Sequence, residues 1–510
     1  NDAGLRGQLR LLSSARFAGR RPGTPGGTAV VDYLVAQLRL FGLKPGNGTS
    51  YLQQVPLVEV KDKAVQFSVL RAGVPPASLA PTTDIVVWTT SGDGVGTLDK
   101  SPVVFVGYGV DAPRDHWNDY TGIDVRGKTV IILAGVPAAL GDAAAAARFS
   151  LPRYKFEEAA RHGAAGVLLV DAANAAHVPW RAIVDRAAGG VMRAPAAKGK
   201  HGSVQIQGWI RRAAAARLFA DAGSDYAAAV ARAGRVGFRA TPLGLSADAV
   251  IRAEVRRFDS PNVVAILPGR HRRHEYIVYT AHWDGLGRIG GGKGGATLPG
   301  AIDNASGVSG LLILAQAFAR ARERPERSMV FLATTAGEYG SLGARYYVNH
   351  PLYPLRETVA DIDLEMLHIG GPTRDVASLA RGESQLDRYL ANAAQLQGRV
   401  VRGDPDPSLD LFRRSDAQRF ATHGVPPLYA VGGMDDAAEG PAWGKARLRD
   451  YFAKRYRQVG DAYSSSWDLR GTLQDLRLYF EVGMRLARTP LFPNWNPGSV
   501  YRRLVRTDGG

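Results

Sequence analysis

From Asn262 onward, short apolar runs rich in β-branched residues alternate with a longer helical run, and few architectures accept that pattern. Asn262–Leu267, Tyr276–Ala281, Ser328–Thr334 and Val359–Leu364 read as buried strands, with Ala305–Ala319 a helix among them. The pattern predicts an α/β fold, a three-layer α/β/α sandwich around a mixed, largely parallel sheet. In such sheets ligands sit beyond the carboxyl ends of the strands.

The rest of the chain has a different character. At 510 residues it is too long for one hydrophobic core. Near the start, Phe17 to Gly27 is turn chemistry, and Thr28 to Phe41 has helical apolar spacing closed by Gly42. Between Pro102 and Ala240 short strand-like runs dominate, interrupted by one helix, Tyr154–His162. These shifts divide the chain into 1–90, an inserted β-rich domain at 91–245, and a main domain at 246–510. The alanine runs at 143–147 and 213–216 read as helix or loop filler.

Composition excludes several kinds of chemistry. The absence of cysteine removes disulfides, thiolate zinc sites and thiol nucleophiles together. The net charge of +17 comes mostly from scattered arginine without aromatic-interleaved basic runs, so a nucleic-acid partner is not expected. No run of about 18 apolar residues predicts a transmembrane segment. The chain begins at Asn1 rather than Met, which reads as a processed N-terminus.

Chemistry-bearing residues cluster at the predicted strand ends. His282 follows the strand Tyr276–Ala281, and Asp284, two residues on, can orient its ring. A glycine-rich loop, 285–300, leads to Asp303 at the start of the helix, where it is either an N-cap or a bridging metal ligand. Glu338 lies just past the strand Ser328–Thr334, and Glu365 ends the run Asp361-Ile362-Asp363-Leu364-Glu365. Acids at the ends of three neighbouring strands beside a histidine call for a cation.

In order and spacing, His282-Trp283-Asp284, Asp303-Asn304-Ala305-Ser306-Gly307, Glu338 within Gly337 to Gly343, and Asp363-Leu364-Glu365-Met366 resemble the two-zinc aminopeptidase and glutamate carboxypeptidase family of metallo-exopeptidases. The form with an inserted protease-associated domain is the nearest, on Val106 to Gly109 and Trp117 to Tyr120. The resemblance implies the zinc exopeptidase fold and a peptide or amino-acid-like substrate. It also implies a secreted or periplasmic setting, and an insert that flanks the pocket and can meet a partner. One zinc would be held by His282, Asp303 and Glu365, and another by Asp303, Glu338 and a late histidine. Two such ions clamp a peptide carbonyl and activate water.

Against the family pattern, three positions differ. Gly337 stands where the general base belongs, and loss of a base costs ~10²- to 10⁴-fold. Arg457 stands where the late histidine belongs, and a guanidinium has no lone pair for zinc. Arg414-Ser415-Asp416-Ala417 lacks the substrate-side histidine, and His423 reads as a loop residue rather than a substitute ligand. The expectation is therefore an aminopeptidase-like protein with at most one tightly held zinc, its hydrolysis lost or strongly reduced, and Arg457 paired with Glu338 in the second-metal space. The alternative is an active mono-zinc hydrolase or acyl-transfer enzyme, with Tyr339, Asp416 or Asp363 replacing the base and Asp284 supporting catalysis behind His282.

Overall fold

The computed structural model describes residues 2–140, 148–171, 180–195, 204–289 and 295–504, so the alanine run 143–147 and residues 290–294 of the glycine-rich loop lie outside the described residues. The chain forms two compact units: Asn1–Leu57, Phe258–Asp406 and Leu411–Gly510 make the first, and Val58–Arg257 with Pro407–Asp410 the second. The sequence places boundaries near 90 and 245, whereas the units change at 57/58 and 257/258. Each change falls inside a continuous strand, Leu52–Arg71 or Thr241–Leu267, where neither a turn nor a shift of composition marks it.

In the first unit the strand Arg272–His282 lies between parallel neighbours Arg327–Thr334 and Thr358–Asp363. The sheet continues in parallel to Pro427–Gly432, then antiparallel to Asp375–Ser378, and it is antiparallel on the other side to 263–267. Side chains alternate across it. Ile277, Tyr279 and Ala281 pack with Leu311, Phe318 and Tyr479 on one face, and Tyr276 and Val278 with Tyr347 and Phe420 on the other. Helices Asp2–Leu12, Pro25–Leu40, Gly307–Ala319 and Arg470–Arg488 thus cover one face, and Leu342–Asn349 and Ala417–Thr422 the other. This is the three-layer sandwich with a mixed, largely parallel sheet.

Two helical features differ from the sequence reading. Asp2–Leu12 is a helix that buries Leu5, Leu9 and Leu12, and the next helix starts at Pro25, where the Thr24 hydroxyl accepts a hydrogen bond from Gly27 N–H at 3.2 Å. The stretch Ala301–Ala319 is long and apolar enough to cross a membrane, an 18-residue window of it having a mean hydropathy of 1.2, yet 78% of that window is buried here, with the core helix Gly307–Ala319 as its greater part.

The second unit is less purely β than its sequence suggests. Its parallel strands Thr129–Leu133, Gly166–Asp171 and Ile206–Arg211 are accompanied by helices Pro152–Arg161, Trp180–Ala188, Arg212–Asp221 and Tyr226–Ala233. The alanine run 213–216 opens one of these helices. Alanine carries the highest helix propensity but little of the large-residue periodicity by which helices are read.

Candidate metal centre

The central strand delivers His282 to the carboxyl edge of the sheet, and Trp283 locks the exit by donating its backbone N–H to Thr334 at 2.8 Å and its indole N–H to the Pro261 carbonyl at 3.0 Å. Asp284, fully buried, accepts the backbone N–H groups of Gly337 and Glu338 at 2.7 and 3.2 Å. Its Oδ1 is 3.5 Å from His282 Nδ1. One carboxylate therefore sets both the 337–338 turn and the back of the imidazole.

The other ring nitrogen faces acids. His282 Nε2 is 3.3 Å from Asp303 Oδ1 and 3.7 Å from Glu365 Oε1, and one donor atom from each of the three residues lies within 4.8 Å of the others. Tetrahedral zinc with bonds of ~2.1 Å has ligand–ligand edges of about 3.4 Å, so the set is spaced for one ion. Asp303 Oδ1 and Glu365 Oε2 are buried without a hydrogen-bond partner among the described residues. The acceptors are thus already desolvated and want a cation.

Asp303 is not an N-cap. Its backbone is extended at φ −108°, ψ 94°, and the next residue, Asn304, caps the helix by accepting the Gly307 N–H at 3.1 Å. Asn304 also accepts the Met366 N–H at 3.1 Å and donates to the Leu364 carbonyl, which fixes the turn carrying Glu365. Asp461 in turn accepts the N–H groups of Ile302 and Asp303 at 2.9 and 3.1 Å. Buried Arg20 donates to the carbonyls of Trp283, Pro299 and Gly300. Asn304, Asp461 and Arg20 have no role of their own in the sequence reading, because most of their partners are backbone groups distant in the chain.

Protonation reflects the same crowding. Burial opposes charge on His282, but Asp284, Asp303 and Glu365 outweigh it and hold its pKa well above the usual imidazole range. Burial also raises Glu365. Without a metal, a charged imidazole is the cation of this half of the pocket.

The other half contains its own cation. Arg457 Nη2 lies 2.6 Å from Glu338 Oε2, with the Glu338 side chain only 3% exposed. Burial pushes Glu338 up to about 7, with Arg457 pulling against it and Asp303 adding to it. Burial works against the charge of Arg457, and Glu338 overcomes it. Among Asp303, Glu338, Arg457 and Asp461 a cavity of about 10 Å³ remains, room for about one water.

Gly337 is tightly placed. A Cβ built there would lie 2.4 Å from both Cβ and Cγ of His282. The other residues considered as bases are engaged: Asp416 accepts the Thr334 hydroxyl, Asp363 accepts Thr280 and Ala417 N–H, and the Tyr339 hydroxyl accepts from Arg21. His423 caps the helix Ala417–Thr422, its Nδ1 2.9 Å from the Arg419 carbonyl.

Comparison with known proteins agrees with this architecture. Residues 262–480 match the model of Peptidase family M28. A vacuolar membrane protease of Saccharomyces cerevisiae strain YJM789 is 32% identical over 163 residues, 30% of this chain but only 15% of that protein. Among solved structures, an aminopeptidase from Aneurinibacillus sp. strain AM-1 superposes with a TM-score of 0.53 at 18% identity, covering 99% of this chain and 97% of the other. A zinc aminopeptidase from Bacillus subtilis superposes with a TM-score of 0.50 at 17% identity, covering 94% of each. These structural likenesses establish the shared fold. The stretch that matches the Peptidase family M28 model, residues 262–480, is the one that carries His282, Asp303, Glu338 and Glu365.

Proposed function

We propose that this chain is an aminopeptidase-like protein that holds one zinc on His282, Asp303 and Glu365, keeps a pocket for a peptide or amino-acid-like ligand, and hydrolyses peptide bonds slowly or not at all. The observation that carries the reading is the 2.6 Å Arg457–Glu338 ion pair beside Gly337. A zinc in the first half would polarise a carbonyl oxygen as a Lewis acid. Arg457 would neutralise Glu338 where a second ion is expected, and Gly337 offers no side chain to take a proton.

Three complete ligands backed by Asp284 favour a second reading, a mono-zinc hydrolase or acyl-transfer enzyme. In that reading Glu338, raised to about 7, is better suited as the base than Asp416, Asp363 or Tyr339, because a base works best with a pKa near the operating pH.

Metal content and hydrolysis of aminoacyl chromogenic substrates, measured on the parent, on Arg457→His and on Arg457→His with Gly337→Glu, separate the two. Turnover absent from the parent and gained with the double change supports the first reading. Turnover in the parent that disappears in Glu338→Gln overturns it in favour of the second.

The unit around residues 91–245 is proposed as a protease-associated insert, and the setting as secreted or periplasmic. Both rest on the family resemblance, and fractionation of cells expressing the natural gene tests the setting.

A further inference from the structure

The second unit contains another histidine set between two carboxylates. Asp111 opens the short strand Asp111–Ala112, which pairs with Trp117–Asn118. Asp119 fastens this hairpin, accepting the Val110 N–H at 2.9 Å and the Trp117 indole N–H at 2.8 Å. The helix Pro152–Arg161 supplies Glu158 in its last turn and His162 at its C-cap, four residues on and over the same face.

His162 Nε2 lies 3.3 Å from Glu158 Oε1 and 3.6 Å from Asp111 Oδ2, and a donor atom from each residue falls within 4.8 Å of the others. These separations also match the ~3.4 Å edge of a tetrahedral zinc site. The ring is held flat against Tyr120, with centroids 3.9 Å apart and planes 10° apart.

Ion pairing alone leaves two atoms unexplained. Asp111 Oδ1 and the hydroxyl of Tyr120, a residue 4% exposed, are buried without a hydrogen-bond partner among the described residues. Arg161 pairs with Glu158 Oε2 and leaves Oε1 to face His162. The negative end of the helix dipole adds to the attraction for a cation. Side-chain exposures of 23% for Asp111 and 29% for His162 leave a path for an ion and its water.

We propose that Asp111, Glu158 and His162 form a divalent-cation site of the zinc type, with one imidazole nitrogen and two carboxylate oxygens as ligands and solvent completing the tetrahedron. One nitrogen and two oxygens select a borderline cation such as zinc over calcium, which takes six to eight oxygens. The ion would tie the 111–118 hairpin to the end of the helix Pro152–Arg161.

Equilibrium dialysis of the full chain against zinc, with elemental analysis, tests the assignment. His162→Gln and Asp111→Asn, on two different elements, should each bind one equivalent less than the parent with unchanged far-ultraviolet circular dichroism. If one of them misfolds, the other carries the reading. His282→Ala should retain the equivalent that His162→Gln loses, which keeps this site distinct from the one in the first unit. Zinc binding by both His162→Gln and Asp111→Asn equal to that of the parent, or none by His282→Ala, would overturn the proposal.

Discussion

The two halves of the cleft in the first unit solve the same electrostatic problem in opposite ways. Around His282, the acids Asp303 and Glu365 are desolvated and each turns one oxygen to a single imidazole, while Asp303 Oδ1 and Glu365 Oε2 have no hydrogen-bond partner among the described residues. Around Glu338, the countercharge is covalently part of the chain, since Arg457 sits 2.6 Å away. A built-in guanidinium cannot dissociate, be chelated or activate water, whereas an ion can do all three. The contrast shows that carboxylates at strand ends record the need for a cation but not its kind.

The largest expected effect comes from removing the imidazole on which the first half depends. His282→Ala should lower zinc affinity in this unit by more than ~100-fold, because loss of an outer-shell partner alone costs 10- to 100-fold. Isothermal titration of the metal-free chain measures it. Undiminished binding would mean that both halves are closed to metal, and the comparison would collapse.

Next is the arginine. Arg457→Ala leaves Glu338 buried without its partner and should destabilise the metal-free chain by about 3–5 kcal/mol, read from denaturant unfolding. Arg457→His should instead gain one equivalent of zinc over the parent, measured by elemental analysis after dialysis. A stable Arg457→Ala chain with unchanged metal content would show that the ion pair contributes nothing to closing the second half.

How much of this was legible from sequence depended on the kind of signal. The strands of the first unit could be read because Ile277, Val278, Val330 and Ile362 are β-branched residues in short bounded runs, and strand ends then located His282, Glu338 and Glu365. The alanine runs stayed open between helix and loop because their apolar faces are made by few large residues, whereas Asp2–Leu12, with Leu5, Leu9 and Leu12 at helical spacing, was legible and is absent from the sequence reading. Asn304 and Asp461 could not be found because their work is to accept backbone N–H groups from segments up to 159 residues away. The crowding of Gly337 against His282 is a through-space fact as well.

The pH dependence of stability distinguishes the halves by the range in which it acts. Glu338 rises from 4.5 to about 7 on folding, so between those values the folded metal-free chain binds a proton that the unfolded chain lacks. Stability from this group is therefore full below pH 4.5 and lost as pH rises to 7, by up to about 3 kcal/mol. Charged His282 acts in the same direction at higher pH: its raised pKa contributes stability that is complete below the unfolded imidazole value and lost only as pH climbs through the higher folded one. Denaturant melts across this range, on the parent and on Glu338→Gln, should show the acid-side slope in the parent and its reduction in the variant. An identical slope in both would place the titration elsewhere.

The smallest expected effect bears on why the halves are not independent. Gly337 belongs to the turn that carries Glu338, yet the atom its side chain would add lies 2.4 Å from Cβ and Cγ of His282. Gly337→Ala must push either the ring or the turn, and overpacking of this kind costs about 1–3 kcal/mol. If the ring yields, zinc affinity on His282 falls while the Arg457–Glu338 pair persists. If the turn yields, Asp284 loses its bonds to the 337 and 338 N–H groups, and both halves loosen together. Zinc titration and thermal unfolding of Gly337→Ala, each measured alone and with Arg457→His, distinguish these outcomes. Non-additive changes in the pair locate the coupling in the shared turn. The same clash explains why a glutamate at 337 requires the main chain to move before it can serve as a base, so Gly337→Glu alone should destabilise the site without restoring turnover.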